Sequence, residues 1–375
     1  MTILRSRWLA LWPAVLLFTG CAVSPAPQEC PAGRLDLPDC PPIGAVDDAF
    51  INQLYERRGW RPQNEIGTDL VELSKQVDIP TQHARARFLG PSLDAAIDSL
   101  AVKLWMIENA EHTIDFAYYI FSNDMIGYAM LGAMCNAVQR GVDVRVVVDS
   151  MGSIGGGTHA SLRALETCAQ RGAGFMRNEA GEITTRKARV QVVIFNSVSK
   201  LGNPNRRSHD KILVKDGSFP DKSAVITGGR NISEDYYGIR ADGSIDLDTF
   251  RDAEILVRSN GELNEGELGV GELSERYASL LFLMPFNKRI TPGDSDGDAR
   301  QYWQERNRAQ EQLSLLKSYD YFSPHLAEMD EYMNSGFHQA QVRLAHELGN
   351  LTDSKVVTEV CLLYTSDAAD DDTIV

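Results

Sequence analysis

With 375 residues, 43% hydrophobic and 24% charged positions, the chain has the balance of a soluble globular protein with one large domain or two ordinary ones, which excludes a membrane bundle. A formal charge of −15 excludes the globally basic surface of a nonspecific nucleic-acid binder, so no nucleic-acid partner is expected.

Arg5 and Arg7 precede an apolar run over residues 8–18, too short to cross a bilayer as a helix and suited to a secretory h-region. The run closes on Leu17-Phe18-Thr19-Gly20-Cys21, which resembles a bacterial lipobox. The resemblance implies a signal peptide over 1–20, lipidation of Cys21 and a membrane anchor. Phe18 stands where the lipobox usually has Leu, so ordinary signal cleavage and an uncleaved anchor stay open. Ala22, rather than the Asp of inner-membrane retention, points to the outer membrane, facing the periplasm. Residues 21–45 carry Pro25, Pro27, Pro31, Pro38, Pro41 and Pro42 and read as a tether. Cys30 and Cys40 lie in this segment, where export makes a disulfide an expectation. Residues 46–89 read as an N-terminal extension.

From residue 92 the pattern alternates: a helix over 92–109, a strand over 112–121, a helix over 124–140 closed by Gly141, and a strand over 142–149. Cys135 and Cys168 fall in apolar helical stretches and read as small core residues rather than reactive thiols. A helix over 161–170, strands over 190–195, 208–215, 223–227 and 249–258, and a closing helix over 273–282 follow. The pattern predicts an α/β domain over 90–283, with a mixed central sheet flanked by helices. Residues 284–354 are more polar and read as a helical connecting segment. Within it, residues 293–298 alternate Asp as calcium loops do, but lack the EF-hand spacing and terminal Glu, so a solvated turn is expected. Residues 355–360 read as the first strand of another unit. The stretch 361–375 has neither helical nor strand period and resembles translated transposase-adapter DNA. Without its four Asp (367, 370, 371 and 372) the chain is less negative but still acidic.

The chemistry is concentrated in Arg206-Arg207-Ser208-His209-Asp210-Lys211-Ile212-Leu213-Val214-Lys215-Asp216, where His209, Lys211 and Asp216 spell HxKxxxxD. Side chains two apart in a strand share a face, so the imidazole of His209 and the ammonium of Lys211 are expected to converge. Such a pair suits an anionic phosphorus centre: a neutral histidine attacks it, and the lysine balances charge that accumulates in the transition state. Neither role calls for a metal, and no cofactor is expected. Downstream, Ala224-Val225-Ile226-Thr227-Gly228-Gly229-Arg230-Asn231 reads as a buried strand breaking at two glycines. Glycine permits close backbone approach to a phosphate, and an Asn amide can donate to its oxygens. Arg186, Lys187, Arg189, Lys200, Arg206 and Arg207 gather nearby in sequence and are read as either a positive mouth for phosphate headgroups or a solvated basic face.

Together these motifs resemble the signature of the phospholipase D superfamily, and their spelling is most similar to bacterial cardiolipin synthases and related phosphatidyltransferases. The resemblance runs over residues 90–283, including His112-Thr-Ile-Asp-Phe-Ala-Tyr-Tyr-Ile-Phe121 and Val144-Arg-Val-Val-Val-Asp149. It implies a phospholipase D-like fold with His209, Lys211 and Asp216 in catalytic positions, Asp216 as a supporting carboxylate at the strand end. It also implies a phosphate pocket of Lys211, Gly228, Gly229 and Asn231. Asp216 and Gly228 lie further apart than is usual in the family, and residues 218–222 read as a lengthened hairpin loop, which costs little entropy.

The family reaction takes two such motifs, one histidine forming a phosphohistidine and the other acting as acid and base. No other histidine here has a Lys two residues on. The implied protein is therefore the first half of a two-half enzyme acting on a phospholipid, with the second motif expected in cis. The alternatives are a one-motif nuclease or general phosphodiesterase that pairs two chains around one site, and a noncatalytic envelope lipoprotein.

Overall fold

The computed structural model describes residues 40–67, 69–70, 81–153, 158–197, 207–260, 263 and 268–344. The expectations for the signal peptide, Cys21, Cys30, residues 355–360 and residues 361–375 fall outside them.

In chain order the elements are α1 (Ala49–Arg58), β1 (Gln82–Leu89), α2 (Leu93–Glu108), β2 (Thr113–Tyr118), α3 (Met125–Arg140), β3 (Asp143–Asp149), α4 (Thr158–Gly172), β4 (Phe175–Arg177), β5 (Ile183–Lys187), β6 (Val190–Phe195), β7 (Lys211–Lys215), β8 (Ala224–Gly228), β9 (Glu254–Ser259), α5 (Val270–Leu283), β10 (Lys288–Ile290), α6 (Asp296–Ser318) and β11 (His338–Val342). Local chemistry sets the boundaries of the central helices. Ser92 caps α2 by accepting the Ala95 N–H, and Asp124 caps α3 by accepting the Gly127 N–H. Gly141 ends α3 at φ +104, where a Cβ would lie 2.2 Å from the Phe175 carbonyl oxygen, so only glycine serves there.

Nine strands form one mixed sheet in the order β10-β6-β3-β2-β7-β8-β9-β1-β11, as the α/β reading expects. β2, β3 and β6 are parallel, joined through α3 and α4, and the neighbours from β2 through β7, β8, β9 and β1 are antiparallel. Helices cover both faces. The larger core joins α2, α3, α4 and α6 to one face through residues such as Phe116, Val146, Val192 and Leu213. The smaller packs α5, with Tyr277, Leu281 and Phe282, on Val147, Val193, Ile212 and Val214 of the other. Consecutive residues of β7 thus enter different cores, as a pleated strand requires.

Two expected domain boundaries give way. β1, in the stretch read as an extension, pairs with β9 and β11 inside the sheet. On α1, Arg58 is fully buried, its guanidinium bonded to Asp143 and Asp115. Nor are residues 284–344 a connector. α6 lies on α3, where a Cβ at Gly132 would meet the Ala309 carbonyl oxygen at 2.6 Å, and β10 and β11 are the two sheet edges. At the start of α6 the Asp-rich loop is spent on a capping box between Ser295 and Asp298.

The two core cysteines also differ from expectation. Cys135 of α3 and Cys168 of α4 are buried as expected, but they form a disulfide, their Cα atoms 5.5 Å apart. The helices pack side by side and bring the pair within bridging range.

Candidate functional site

The strand directions put one end of the sheet in charge of the chemistry. The C-termini of β2, β3, β6 and β8 and the N-termini of β7 and β9 meet there, because β7 is antiparallel to both β2 and β8 and Tyr118 pairs with Lys211. His209 lies in the extended lead-in to β7, where the Tyr119 N–H donates to the Asp210 carbonyl at 3.0 Å.

His209 and Lys211 converge as their spacing predicts. The Lys211 ammonium is 3.1–3.2 Å from the two ring nitrogens and 3.1 Å from the His209 carbonyl oxygen. The ammonium is thus within donating reach of both ring nitrogens, and a phosphate oxygen at the imidazole would also meet its charge. The Tyr119 ring packs against the imidazole with centroids 4.6 Å apart and lies 5.5 Å from the Lys211 ammonium.

Around this pair the chain is held by carboxylates. Asp210 accepts from the Ser208 hydroxyl at 2.5 Å and from the Tyr277 hydroxyl of α5 at 2.7 Å. Asp149, at the end of β3, accepts the Ser208 N–H at 3.2 Å and pairs with Arg207 at 3.3 Å. Burial pushes the Asp149 carboxyl up, while Arg207 and backbone donors pull it back.

The other site candidates separate into different roles. Continuing the β7–β8 register by one residue sets Lys211 opposite Gly228, and Gly228 pairs with Glu254 of β9. Gly228, without a side chain, thus lies between a lysine and a glutamate on one sheet face. A Cβ on Gly228 would sit 2.3 Å from the Ala253 carbonyl oxygen, and one on Gly229 2.1 Å from an Asp252 carboxylate oxygen. The backbone entering β9 demands glycine at Gly228, whereas a side chain at Gly229 would have to displace that of Asp252. Asn231 is fully buried; its side chain accepts the Ile120 N–H at 2.9 Å and donates to the Tyr236 hydroxyl at 2.7 Å. It fixes the end of β2 next to Tyr119.

Asp216 lies at the opposite end of β7, on the order of 20 Å from His209 by strand rise. There its carboxylate binds the backbone amides of Glu111, His112 and Thr113 and pairs with Lys215. The expected supporting carboxylate at the strand end thus supports the fold rather than touching the reactive pair, since the strand that aligns His209 and Lys211 carries Asp216 to the far end of the sheet. The expected hairpin loop also lies there, with Phe219 stacked on the His112 ring at 3.7 Å.

Among the described residues, the basic side chains do not gather into a single positive mouth. Arg186 bonds Asn52 and Glu56, and Arg189 bonds Asp143 and the Tyr55 carbonyl, at the far end of the sheet. β6 separates them from the site by its whole length. Arg207 is at the site; Lys200 and Arg206 lie outside the described residues.

A buried ionic cluster escaped the sequence reading. Glu254 accepts two bonds from Lys103 of α2, at 2.6 and 2.8 Å, and contacts Arg230 at 3.4 Å and the Ser99 hydroxyl. Burial pushes the Lys103 ammonium down to about 8, against the pull of Glu254. The available signal was a lone lysine in the apolar run Leu100-Ala101-Val102-Lys103-Leu104-Trp105. Among the described residues, no group of three or more His, Cys, Asp or Glu is arranged to hold a metal ion.

Residues 104–243 match the family model described as cardiolipin synthase, PLD-like domain. Cardiolipin synthase C of Escherichia coli (strain K12) is 31% identical over 157 residues, covering 39% of this chain and 28% of that protein. A cardiolipin synthase of Staphylococcus aureus (strain N315) is 32% identical over 134 residues, covering 35% of this chain and 22% of that protein. The match thus spans less than a third of either relative. Among solved structures, phosphatidylserine synthase of Haemophilus influenzae Rd KW20 aligns at 12% identity and TM-score 0.36, over 74% of this chain and 51% of that one. The phospholipase D family member Nuc of Salmonella typhimurium aligns at 16% identity and TM-score 0.34, over 57% and 99%.

Proposed function

We propose that this chain, whose residues 104–243 are a phospholipase D-like domain of the cardiolipin synthase family, acts on the phosphodiester of a phospholipid through a phosphohistidine. The observation that carries the reading is the Lys211 ammonium held 3.1 Å from the His209 ring at the open end of β7. One histidine of a pair attacks phosphorus, and the bond to the headgroup oxygen breaks as the other histidine protonates the leaving alkoxide. That second histidine then takes a proton from water or an acceptor alcohol, whose oxygen displaces the first histidine from phosphorus. Lys211 balances the charge on the non-bridging oxygens in both steps. His209 is one member of the pair; a second motif in cis is proposed to supply the other.

The same reading places the enzyme in the bacterial envelope, anchored through a lipidated Cys21 to the outer membrane and facing the periplasm. The Cys135–Cys168 disulfide supports that compartment, since such bonds persist in oxidising surroundings. Full-length protein incubated with phospholipid vesicles is expected to release or exchange headgroup, and His209→Ala to abolish it. Retained turnover in His209→Ala, or cleavage of DNA but not phospholipid, would overturn the reading. Mass spectrometry of the exported protein is expected to show acylated Cys21; a soluble form cleaved elsewhere would remove the anchor.

A further inference from the structure

We propose that Asp149 is the positioning residue that aims His209, an inference that rests on the phosphotransfer reading of that histidine. Asp149 is 1% exposed, and four donors from two chain segments converge on its carboxylate. One segment is the approach to the histidine: Oδ2 accepts the Ser208 N–H at 3.2 Å, and Oδ1 lies 3.3 Å from Arg207 Nη1, which also donates to the Ser150 hydroxyl at 2.7 Å. The other is the turn after β3: Oδ1 accepts the Met151 N–H at 2.8 Å and the Gly152 N–H at 3.3 Å.

That turn supports the other side of the imidazole. The Ser153 hydroxyl donates to the Tyr119 carbonyl at 3.1 Å and accepts the Phe121 N–H at 3.0 Å. Gly152 packs so closely that a Cβ there would lie 2.2 Å from the Tyr119 carbonyl oxygen. Tyr119 in turn lays its ring against His209, at 4.6 Å between centroids, and its N–H bonds the Asp210 carbonyl. One carboxylate therefore anchors the backbone that enters His209 and the turn that seats the ring packed on it. All four partners are donors, so the site needs a group that only accepts. Asparagine has the same shape but turns one acceptor into a donor, facing either the Ser208 N–H or the Arg207 side.

The test compares full-length wild type, Asp149→Asn, Tyr119→Leu and His209→Ala. Headgroup release from phospholipid vesicles gives kcat and KM, melting gives stability, and the imidazole resonances of ring-labelled histidine are followed by NMR. His209→Ala identifies the His209 signal among the seven histidines. Asp149→Asn is expected to fold, to lower kcat by a factor on the order of 10 to 100 with KM little changed, and to displace the His209 resonance alone. Tyr119→Leu, which leaves Asp149 intact, is expected to move the same resonance and lower kcat likewise, so the seating route stays testable if Asp149→Asn fails to fold. An unmoved His209 resonance, or kcat within twofold of wild type in a folded Asp149→Asn, would overturn the proposal. Full activity in His209→Ala would instead remove the phosphotransfer reading, while the resonance shift still decides whether Asp149 positions the ring.

Discussion

The Asp216 carboxylate accepts the backbone N–H of His112 at 2.7 Å, tying the end of β7 to the start of β2. The same oxygen takes the Thr113 N–H at 2.9 Å, and the other carboxylate oxygen takes Glu111 and the Lys215 ammonium. Asp216 holds φ +48, a left-handed conformation that Asp and Asn tolerate better than most residues. Asp216→Asn is therefore expected to keep the turn but lose the charge, costing about 1–3 kcal/mol. Asp216→Ala, leaving three backbone amides without their acceptor and the buried Lys215 ammonium with the Lys222 carbonyl but no carboxylate, is expected to cost more. Denaturant unfolding checks both. A folded Asp216→Asn with wild-type stability would contradict the architectural role.

The disulfide between α3 and α4 closes a loop of 33 residues in sequence separation. Constraint of the unfolded chain gives such a bridge about 2–4 kcal/mol. Reduction, or a Cys135→Ala/Cys168→Ala double variant, is expected to lower Tm by roughly 3–6 °C at this chain length. Calorimetry with and without reductant measures it. Identical melting in both conditions would show that the bridge contributes nothing to stability.

Much of this architecture was legible in the amino-acid order, for reasons that can be named. β6 is a β-branched and aromatic run interrupted by Gln191 alone and buried on both faces, and α3 announces itself with Asp124 at one end and Gly141 at the other. The meeting of His209 and Lys211 follows from strand periodicity alone. β1 was not legible because Arg85 and Arg87 break its apolar signal; Arg87 finds its partners in the Tyr332 ring and the Tyr332 and Ser335 carbonyls, far along the chain. β10, three residues long, exists only by pairing with β6. The roles of Asn231 and Asp216 were hidden for the same reason. Each residue type suits a phosphate site, and only tertiary neighbours, Ile120 and Tyr236 for one and the start of β2 for the other, show how its polar atoms are used.

Beneath the sheet, Asp115 bridges two fully buried guanidinium groups, bonding Arg58 at 2.7 Å and Arg145 at 2.5 Å. Burial alone would raise its carboxyl, but Arg145 and then Arg58 outweigh burial and hold it below the usual value. A carboxylate depressed in the folded state adds stability that is fully present above the unfolded value of about 3.9 and is lost as pH falls through the lower folded value. Wild type is thus expected to lose stability below about pH 4. Asp115→Asn, which takes from buried Arg145 its paired carboxylate while Arg58 keeps Asp143, is expected to cost about 3–5 kcal/mol at neutral pH and to show a shallower loss on acidification. Urea titrations at neutral pH and below pH 4 measure both effects. Parallel acid curves for the two proteins would show that Asp115 is not a source of the dependence.

Charge and shape can be separated at the reactive pair. Lys211 is 3% exposed, and its ammonium lies within 3.2 Å of three His209 atoms, so it acts as a compact charge beside the imidazole. Lys211→Ala removes that charge and is expected to lower kcat by a factor on the order of 100 or more through lost transition-state stabilisation. Lys211→Arg keeps the charge but spreads it over a planar fork that cannot occupy the same point. It is expected to recover part of the rate, with a KM closer to wild type than that of Lys211→Ala. Steady-state kinetics on phospholipid vesicles, beside melting curves that establish both variants fold, read the difference. Equal losses in the two folded variants would mean that geometry rather than charge governs the step, and undiminished turnover in Lys211→Ala would remove the lysine from the chemistry.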